Sequence, residues 1–175
     1  MATRRQLLQV GLGGVAVVAV GGGAALLLRG TVSRSPRRPL RALTPAQFSV
    51  LAAVADRVAP QNGEFPSAWT VQVPEKIDEL LSRVHPGLAG EVGQGLMLLE
   101  SAAAGMLLEG RTTTFTGSTP TEQDEILTAW RASDLEVRRK VLKALNGLCN
   151  AAYYGSPEVY PAVGYPGPPP RGSAR

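Results

Sequence analysis

Helix starts are written into this chain three times. Thr44-Pro45-Ala46-Gln47, Thr119-Pro120-Thr121-Glu122 and Ser133-Asp134-Leu135-Glu136 each set a hydroxyl side chain three positions ahead of Gln or Glu. At that spacing the hydroxyl accepts the N–H of the third helical residue, and the longer side chain reaches back to the capping residue's own N–H. Pro45 and Pro120 fall at the first helical position, where a missing N–H has no consequence. Leu43 and Phe48 bracket the first start with the spacing of a hydrophobic staple. Alternating apolar and polar runs, the mark of strands, are almost absent. Such a chain is confined to packing helix on helix.

Apolar periodicity places the helices. Phe48, Leu51, Val54, Ala55 and Val58 share one face of the first, which Pro60 stops. Residues 60–73 read as a loop with Gly63, Pro66 and Trp69. A second helix fits 74–85, with Ile77, Leu80, Leu81 and Val84 as its stripe and His85-Pro86-Gly87 as its breaker. A third fits about 88–109 through Leu88, Val92, Leu96, Leu99, Ala103, Met106 and Leu107, interrupted by glycines that blur its ends. Arg111 to Gly117 is threonine-rich and expected to be extended around Phe115. The second capping box opens a helix through Trp130, and the third opens one through about Tyr153. That last helix is expected to bury Val141, Leu142, Leu145, Leu148 and Cys149 and to turn Arg138, Arg139, Lys140 and Lys143 to solvent. The expectation is an all-α protein, a bundle of about five helices over 44–153. A signal or anchor helix over 1–28 and a basic linker over 29–43 precede it, and an extended arm rich in Pro and Tyr over 154–175 follows it.

The N-terminus carries the first functional information. Thr3-Arg4-Arg5-Gln6-Leu7-Leu8 resembles the twin-arginine (Tat) export consensus: paired arginines, one polar residue, then apolar ones such as Leu7 and Leu8. Val10 to Leu28 then runs for nineteen residues without a charge, six of them glycine. Glycine lowers both hydrophobicity and helix strength, the latter by about 1 kcal/mol each relative to alanine, which suits a weakly hydrophobic twin-arginine signal. An ideal helix of this length spans about 28 Å, close to a bilayer core, so a membrane anchor is the second reading. The two are compatible, because the best small-x-small cleavage pattern ends at Ala25 and an apolar Leu26-Leu27-Leu28 follows it. The twin-arginine reading implies the Tat translocase as a partner, and the anchor reading the cytoplasmic membrane; the expected site of action is periplasmic.

Charge and ligand counts narrow the rest. Seven arginines and no acid lie in residues 1–41; the remainder, 42–175, holds 11 basic and 14 acidic residues. The high pI therefore belongs to the N-terminal segment, and the body offers no footprint for nucleic acid. Cys149 is the sole cysteine and His85 the sole histidine. A disulfide within the chain, a C-x-x-C-H haem attachment and a cysteine-held zinc or iron–sulfur centre are all excluded by that count. Asp78-Glu79 and Asp124-Glu125 are adjacent on helices, so each pair diverges by about 100° and cannot converge on one substrate. Asp56 and Arg57 suit structural ion pairs, Cys149 lies on an apolar stripe as an inert core thiol, and His85 at a helix end suits capping of carbonyls or a solvent-facing place. The expectation is no catalytic residue, no metal ligand and no cofactor-binding residue in this chain. The arm is the better candidate for contact: Tyr153, Tyr154, Tyr160, Tyr165 and Pro166 are rigid and amphipathic, as docking residues are. The opposite reading, an arm folded back on its own bundle, is equally open from composition.

Three blocks then point to a family. Leu43-Thr44-Pro45-Ala46-Gln47-Phe48 continues through Leu51, Ala55-Asp56-Arg57 and Pro60; Pro66-Ser67-Ala68 leads to Val73 and Ile77-Asp78; Tyr153-Tyr154-Gly155 closes with Gly164-Tyr165-Pro166-Gly167. With the twin-arginine leader, these resemble the gluconate 2-dehydrogenase subunit 3 family. The resemblance implies a non-catalytic small subunit that supplies the export signal for a large flavin-bearing (FAD) dehydrogenase of the glucose-methanol-choline type and helps it mature. A cytochrome c subunit carrying haem c often completes such complexes. One departure stands out: Ser156 to Val163 is shorter and poorer in glycine than the family's usual segment there. The alternative from the residues alone is a stand-alone exported or membrane-anchored helical protein with a binding or envelope role.

Overall fold

The computed structural model describes residues 31–60, 62–101, 105, 110 and 113–169. The leader, with Arg4, Arg5, Leu7 and Leu8, and the expected signal helix lie outside them. Among the described residues there are five α-helices and no strand: α1 (Pro45–Val58), α2 (Val73–Leu81), α3 (Pro86–Glu100), α4 (Pro120–Ala132) and α5 (Glu136–Tyr154). Two 3-10 turns, Pro157–Val159 and Pro161–Val163, follow. The all-helical expectation holds among the described residues, where five helices make up the bundle.

Helix α1 is the centre. Phe48, Ser49, Val50, Leu51, Ala52, Ala53, Val54 and Ala55 are all buried in succession, more than one stripe would bury. A helix covered all round must be the one the others pack against, and α1 touches each of α2, α3, α4 and α5. Its small residues allow that approach. Helix α3 contributes the same economy of volume: a Cβ on Gly93 would lie 2.5 Å from the Gln47 amide, and one on Gly95 would lie 2.9 Å from Val141 Cγ1. These glycines let α3 close on α1 and α5. Leu96, Leu99, Phe115, Trp130, Leu142 and Leu145 complete the core.

Two of the three expected capping boxes form. Thr44 Oγ1 accepts from Gln47 N–H while Gln47 Oε1 accepts from Thr44 N–H, and Thr119 and Glu122 repeat the exchange. The third does not. Ser133 is the C-cap of α4, with its N–H directed to the Trp130 carbonyl, and its Oγ accepts from Leu135 N–H two residues on. That local turn holds the backbone out of helix until Leu135, so α5 begins at Glu136. Glu136 then lies in the first helical position and pairs with Lys140 at 2.8 Å.

Other expectations are corrected. Helix α2 ends at Leu81 and buries Val73, Glu75, Ile77, Asp78 and Leu81, while Leu80 is exposed. Helix α3 does not run to 109: Ser101 adopts extended backbone and ends it, and Leu88 is exposed. Ala103, Met106 and Leu107 lie outside the described residues. The threonine-rich segment is a tight turn at 115–117, not an extended run. Arg138 is buried, its guanidinium 5.1 Å from the Trp130 ring centroid, because the start of α5 folds down onto α4. His85 caps N–H groups instead of carbonyls: it is the N-cap of α3, and its Nδ1 accepts from Gly87 N–H.

The segment expected to be a linker lies on the bundle. The backbone N–H groups of Val32, Arg34, Arg37, Arg41, Ala42 and Leu43 are held by side chains of the body, and three carboxylates that read as ordinary helical acids are buried inside. Asp78 accepts from Arg41, Ala42 and Leu43 N–H, at 2.8, 3.0 and 2.9 Å. Glu75 accepts from Arg37 N–H. Glu100 accepts from Thr116 N–H at 2.9 Å and from its hydroxyl at 2.6 Å. A buried carboxylate is tolerated only with such donors around it.

Candidate partner-binding surface

The C-terminal segment is shaped by its prolines. Pro157 and Pro161 fix φ near the value a 3-10 turn requires and need no N–H at its first position. The segment after α5 therefore coils into the two 3-10 turns instead of running out as an extended arm. Gly155 makes the first bend: a Cβ there would sit 2.7 Å from the Ala151 carbonyl oxygen. Ser156 then pins the bend from both sides, accepting from Lys76 Nζ at 2.6 Å and donating to the Ala152 carbonyl at 2.7 Å. Val159 is fully buried. Gly164, at φ 67°, reverses the chain so that Tyr165 N–H reaches the Tyr160 carbonyl at 2.9 Å.

The tyrosines divide accordingly. Tyr153, expected to meet a partner with the others, is 1% exposed, and its hydroxyl donates to the Pro66 carbonyl at 2.6 Å. Burial, and secondarily the negative charge Tyr154 takes on when it ionises, pushes its pKa above the usual phenol value. Tyr160 is half-buried, edge-on to Tyr165 at 5.0 Å between ring centroids. Tyr154, Val163 and Tyr165 are 45%, 44% and 46% exposed, and Pro166 is exposed beside them in sequence. These are apolar and aromatic groups held on a pinned backbone.

Several ionisable groups elsewhere are engaged in structure. Arg34 meets Asp56 at 2.6 Å, and Arg57 meets Asp124 at 3.6 Å. Arg34, Asp56 and Arg57, with Ser67 and Trp69, line an open cleft of about 490 Å³. Arg34 and Arg37 both lie over the Trp69 ring, at 5.7 and 5.0 Å. Asp78 and Glu79 do diverge: Asp78 points into the protein, whereas Glu79 takes Arg38, Arg41 and Arg83 at the surface. Burial pushes the Cys149 thiol up to about 12, far from a nucleophile's range. Among the described residues no three His, Cys, Asp or Glu side chains gather as a metal site, and no helix is long and apolar enough to cross a membrane.

Comparison with known families gives one match. The model of gluconate 2-dehydrogenase subunit 3 aligns with residues 45–167, from the first residue of α1 to the glycine after the exposed Tyr165-Pro166. The chain belongs to the gluconate 2-dehydrogenase subunit 3 family. No curated protein and no solved structure matches it. Membership makes it an accessory subunit and implies association with a gluconate 2-dehydrogenase complex. The matched span takes in all five helices and the tyrosine-bearing turns, whereas the strap over 31–43 lies outside it.

Sequence reasoning missed the residues that hold the subunit's N-terminal strap. Glu75 and Asp78 are three apart, on the stripe that carries Ile77 and Leu81. Acids inside an apolar stripe were the available signal, since such a position demands donors from elsewhere. Glu100 gave the same signal beside Leu96 and Leu99.

Proposed function

We propose that this subunit is non-catalytic and serves as export escort for a flavin-bearing dehydrogenase of the glucose-methanol-choline type. Its leader, with Arg4 and Arg5 followed by Leu7 and Leu8, takes the complex through the Tat translocase to the periplasmic face of the cytoplasmic membrane. The partner holds FAD, and a cytochrome c subunit with haem c takes the electrons. The body of this chain binds the folded flavoprotein and helps it mature.

The observation that carries the reading is the exposure of Tyr154, Val163, Tyr165 and Pro166 at the end of the family match, the last three on backbone shaped by the 3-10 turns. Rigid aromatic side chains lose little entropy on binding and dominate interface energies, at about 2 kcal/mol or more for a central anchor. The pairing of Arg34, Arg57, Asp56 and Asp124 with one another supports a structural role for groups that a catalytic reading would need free.

The leader is tested by replacing Arg4 and Arg5 together with Lys. Charge is kept while the paired guanidinium geometry is lost. The expected result is retention of both this subunit and the flavoprotein in the cytoplasm; normal periplasmic accumulation contradicts the escort role.

A further inference from the structure

The strap over residues 31–43 is bound by groups from distant parts of the chain. Val32 N–H donates to Thr116 Oγ1, in the turn before α4, and that hydroxyl is itself oriented by Glu100 of α3. Arg34 N–H donates to Ser49 Oγ of α1, and the Arg34 guanidinium pairs with Asp56 of the same helix. Arg37 lies over Trp69, in the loop before α2. Glu75, Asp78 and Glu79 of α2 take the remainder: the N–H groups of Arg37, Arg41, Ala42 and Leu43, and the guanidinium groups of Arg38 and Arg41. No two neighbouring elements supply this set. It converges only when α1, α2, α3 and the turn at 115–117 are all in place.

The strap is also built of cleavage sites. Arg34-Ser35, Arg37-Arg38 and Arg41-Ala42 are bonds that a trypsin-like protease cuts, while Pro39 protects the bond after Arg38. Such a protease must draw several residues of free backbone into its cleft, so it acts on the opened state of a segment. A strap with its N–H groups tied to carboxylates and hydroxyls is closed to it.

We propose that residues 31–43 form a fold-dependent clasp, which docks only on the completed bundle and there shields its arginines from proteolysis. In a folded chain the bonds after Arg34, Arg37 and Arg41 are closed; in a misfolded chain they are open. Arg29-Gly30 lies ahead of the strap, so the protection covers the strap's own bonds and not every bond between it and the proposed leader.

The test is limited trypsin digestion of the purified full-length chain, with cut sites read by fragment mass. In the native chain, cleavage after Arg37 and Arg41 is expected to be no faster than digestion of the whole bundle. Asp78→Asn places an N–H2 group among three N–H donors. It is expected to speed those two cuts about tenfold or more, since cleavage tracks the opened population, and to leave a resistant helical fragment beginning near Ala42. Glu79→Gln touches only surface ion pairs and should speed the same cuts less, with circular dichroism unchanged. Should Asp78→Asn fail to fold, Glu79→Gln decides alone. Native-chain cleavage after Arg37 and Arg41 at the rate of the urea-unfolded chain overturns the clasp, as do unchanged rates in the variants. The leader reading fails separately, if the Arg4→Lys, Arg5→Lys chain is exported normally while the strap still shows its protection.

Discussion

Asp78 Oδ1 on α2 accepts the backbone N–H of Leu43 at 2.9 Å, across thirty-five positions of sequence, and the same carboxylate receives Arg41 and Ala42. Leu43 is itself buried, so this carboxylate fixes both the end of the strap and the entry to α1. A hydrogen bond to a charged group contributes about 1.5–3 kcal/mol, but N–H groups released to water recover part of that. Asp78→Ala is therefore predicted to lower unfolding free energy by about 3 kcal/mol, read as a shift in the urea midpoint with the α-helical spectrum retained below it.

The caps give a graded prediction. Thr44→Ala and Thr119→Ala each remove a working capping box and should cost about 1 kcal/mol. Ser133→Ala removes only a turn contact to Leu135 N–H and should cost a few tenths at most, about 0.5 kcal/mol. At Thr119, the backbone and hydroxyl donors hold the Glu122 carboxyl below its usual value. Its stabilising effect is thus present above the ordinary carboxylate range and fades as pH falls. Thr119→Ala removes the hydroxyl donor and keeps the backbone one, so it should weaken that acid dependence without abolishing it. Equal losses at all three positions, by chemical denaturation, would contradict the observed start of α5 at Glu136.

Much of this was legible in the residues. A capping box needs four consecutive positions and no tertiary context, so Thr44 and Thr119 announced α1 and α4 directly. Ser133 misled because the residue that would cap α5 also closes α4, and the shorter bond to Leu135 won. The C-terminal turns were hidden by the double meaning of proline: the φ that forbids an α-helix interior is the φ of a 3-10 turn. Least legible were Glu75, Asp78 and Glu100. Nothing local reveals which groups will cover them, since their donors lie in the strap at Arg37 and Leu43 for Glu75 and Asp78, and in the turn at Thr116 for Glu100.

Cys149 provides an alkaline prediction. Its thiol is raised by burial to about 12 from an ordinary 9.0. Folding thus favours the neutral thiol: the stabilisation is complete below pH 9 and is lost as pH rises toward 12. Tyr153, also raised by burial, acts in the same direction. Cys149→Ala should flatten the alkaline fall in melting temperature, at a cost of about 1 kcal/mol at neutral pH for the vacated volume. A thiol reagent should modify Cys149 only at the rate of unfolding. Rapid labelling of the native chain would contradict its place in the core.

Removal of residues 154–175 cannot isolate the binding surface, because Ser156 and Val159 are fully buried and belong to the fold. Point changes at the exposed positions can. Tyr154→Ala with Tyr165→Ala should leave the melting temperature within a few degrees, since each side chain is nearly half exposed. The central claim is tested most directly by co-expressing the tagged chain with a leaderless flavoprotein of the dehydrogenase complex and measuring flavin absorbance in the purified material. The account predicts a flavin spectrum carried wholly by the partner and reduced at least about tenfold in the double variant, as loss of anchor residues would give. A chain that purifies free of the flavoprotein, or a double variant that retains the full flavin signal, would contradict it.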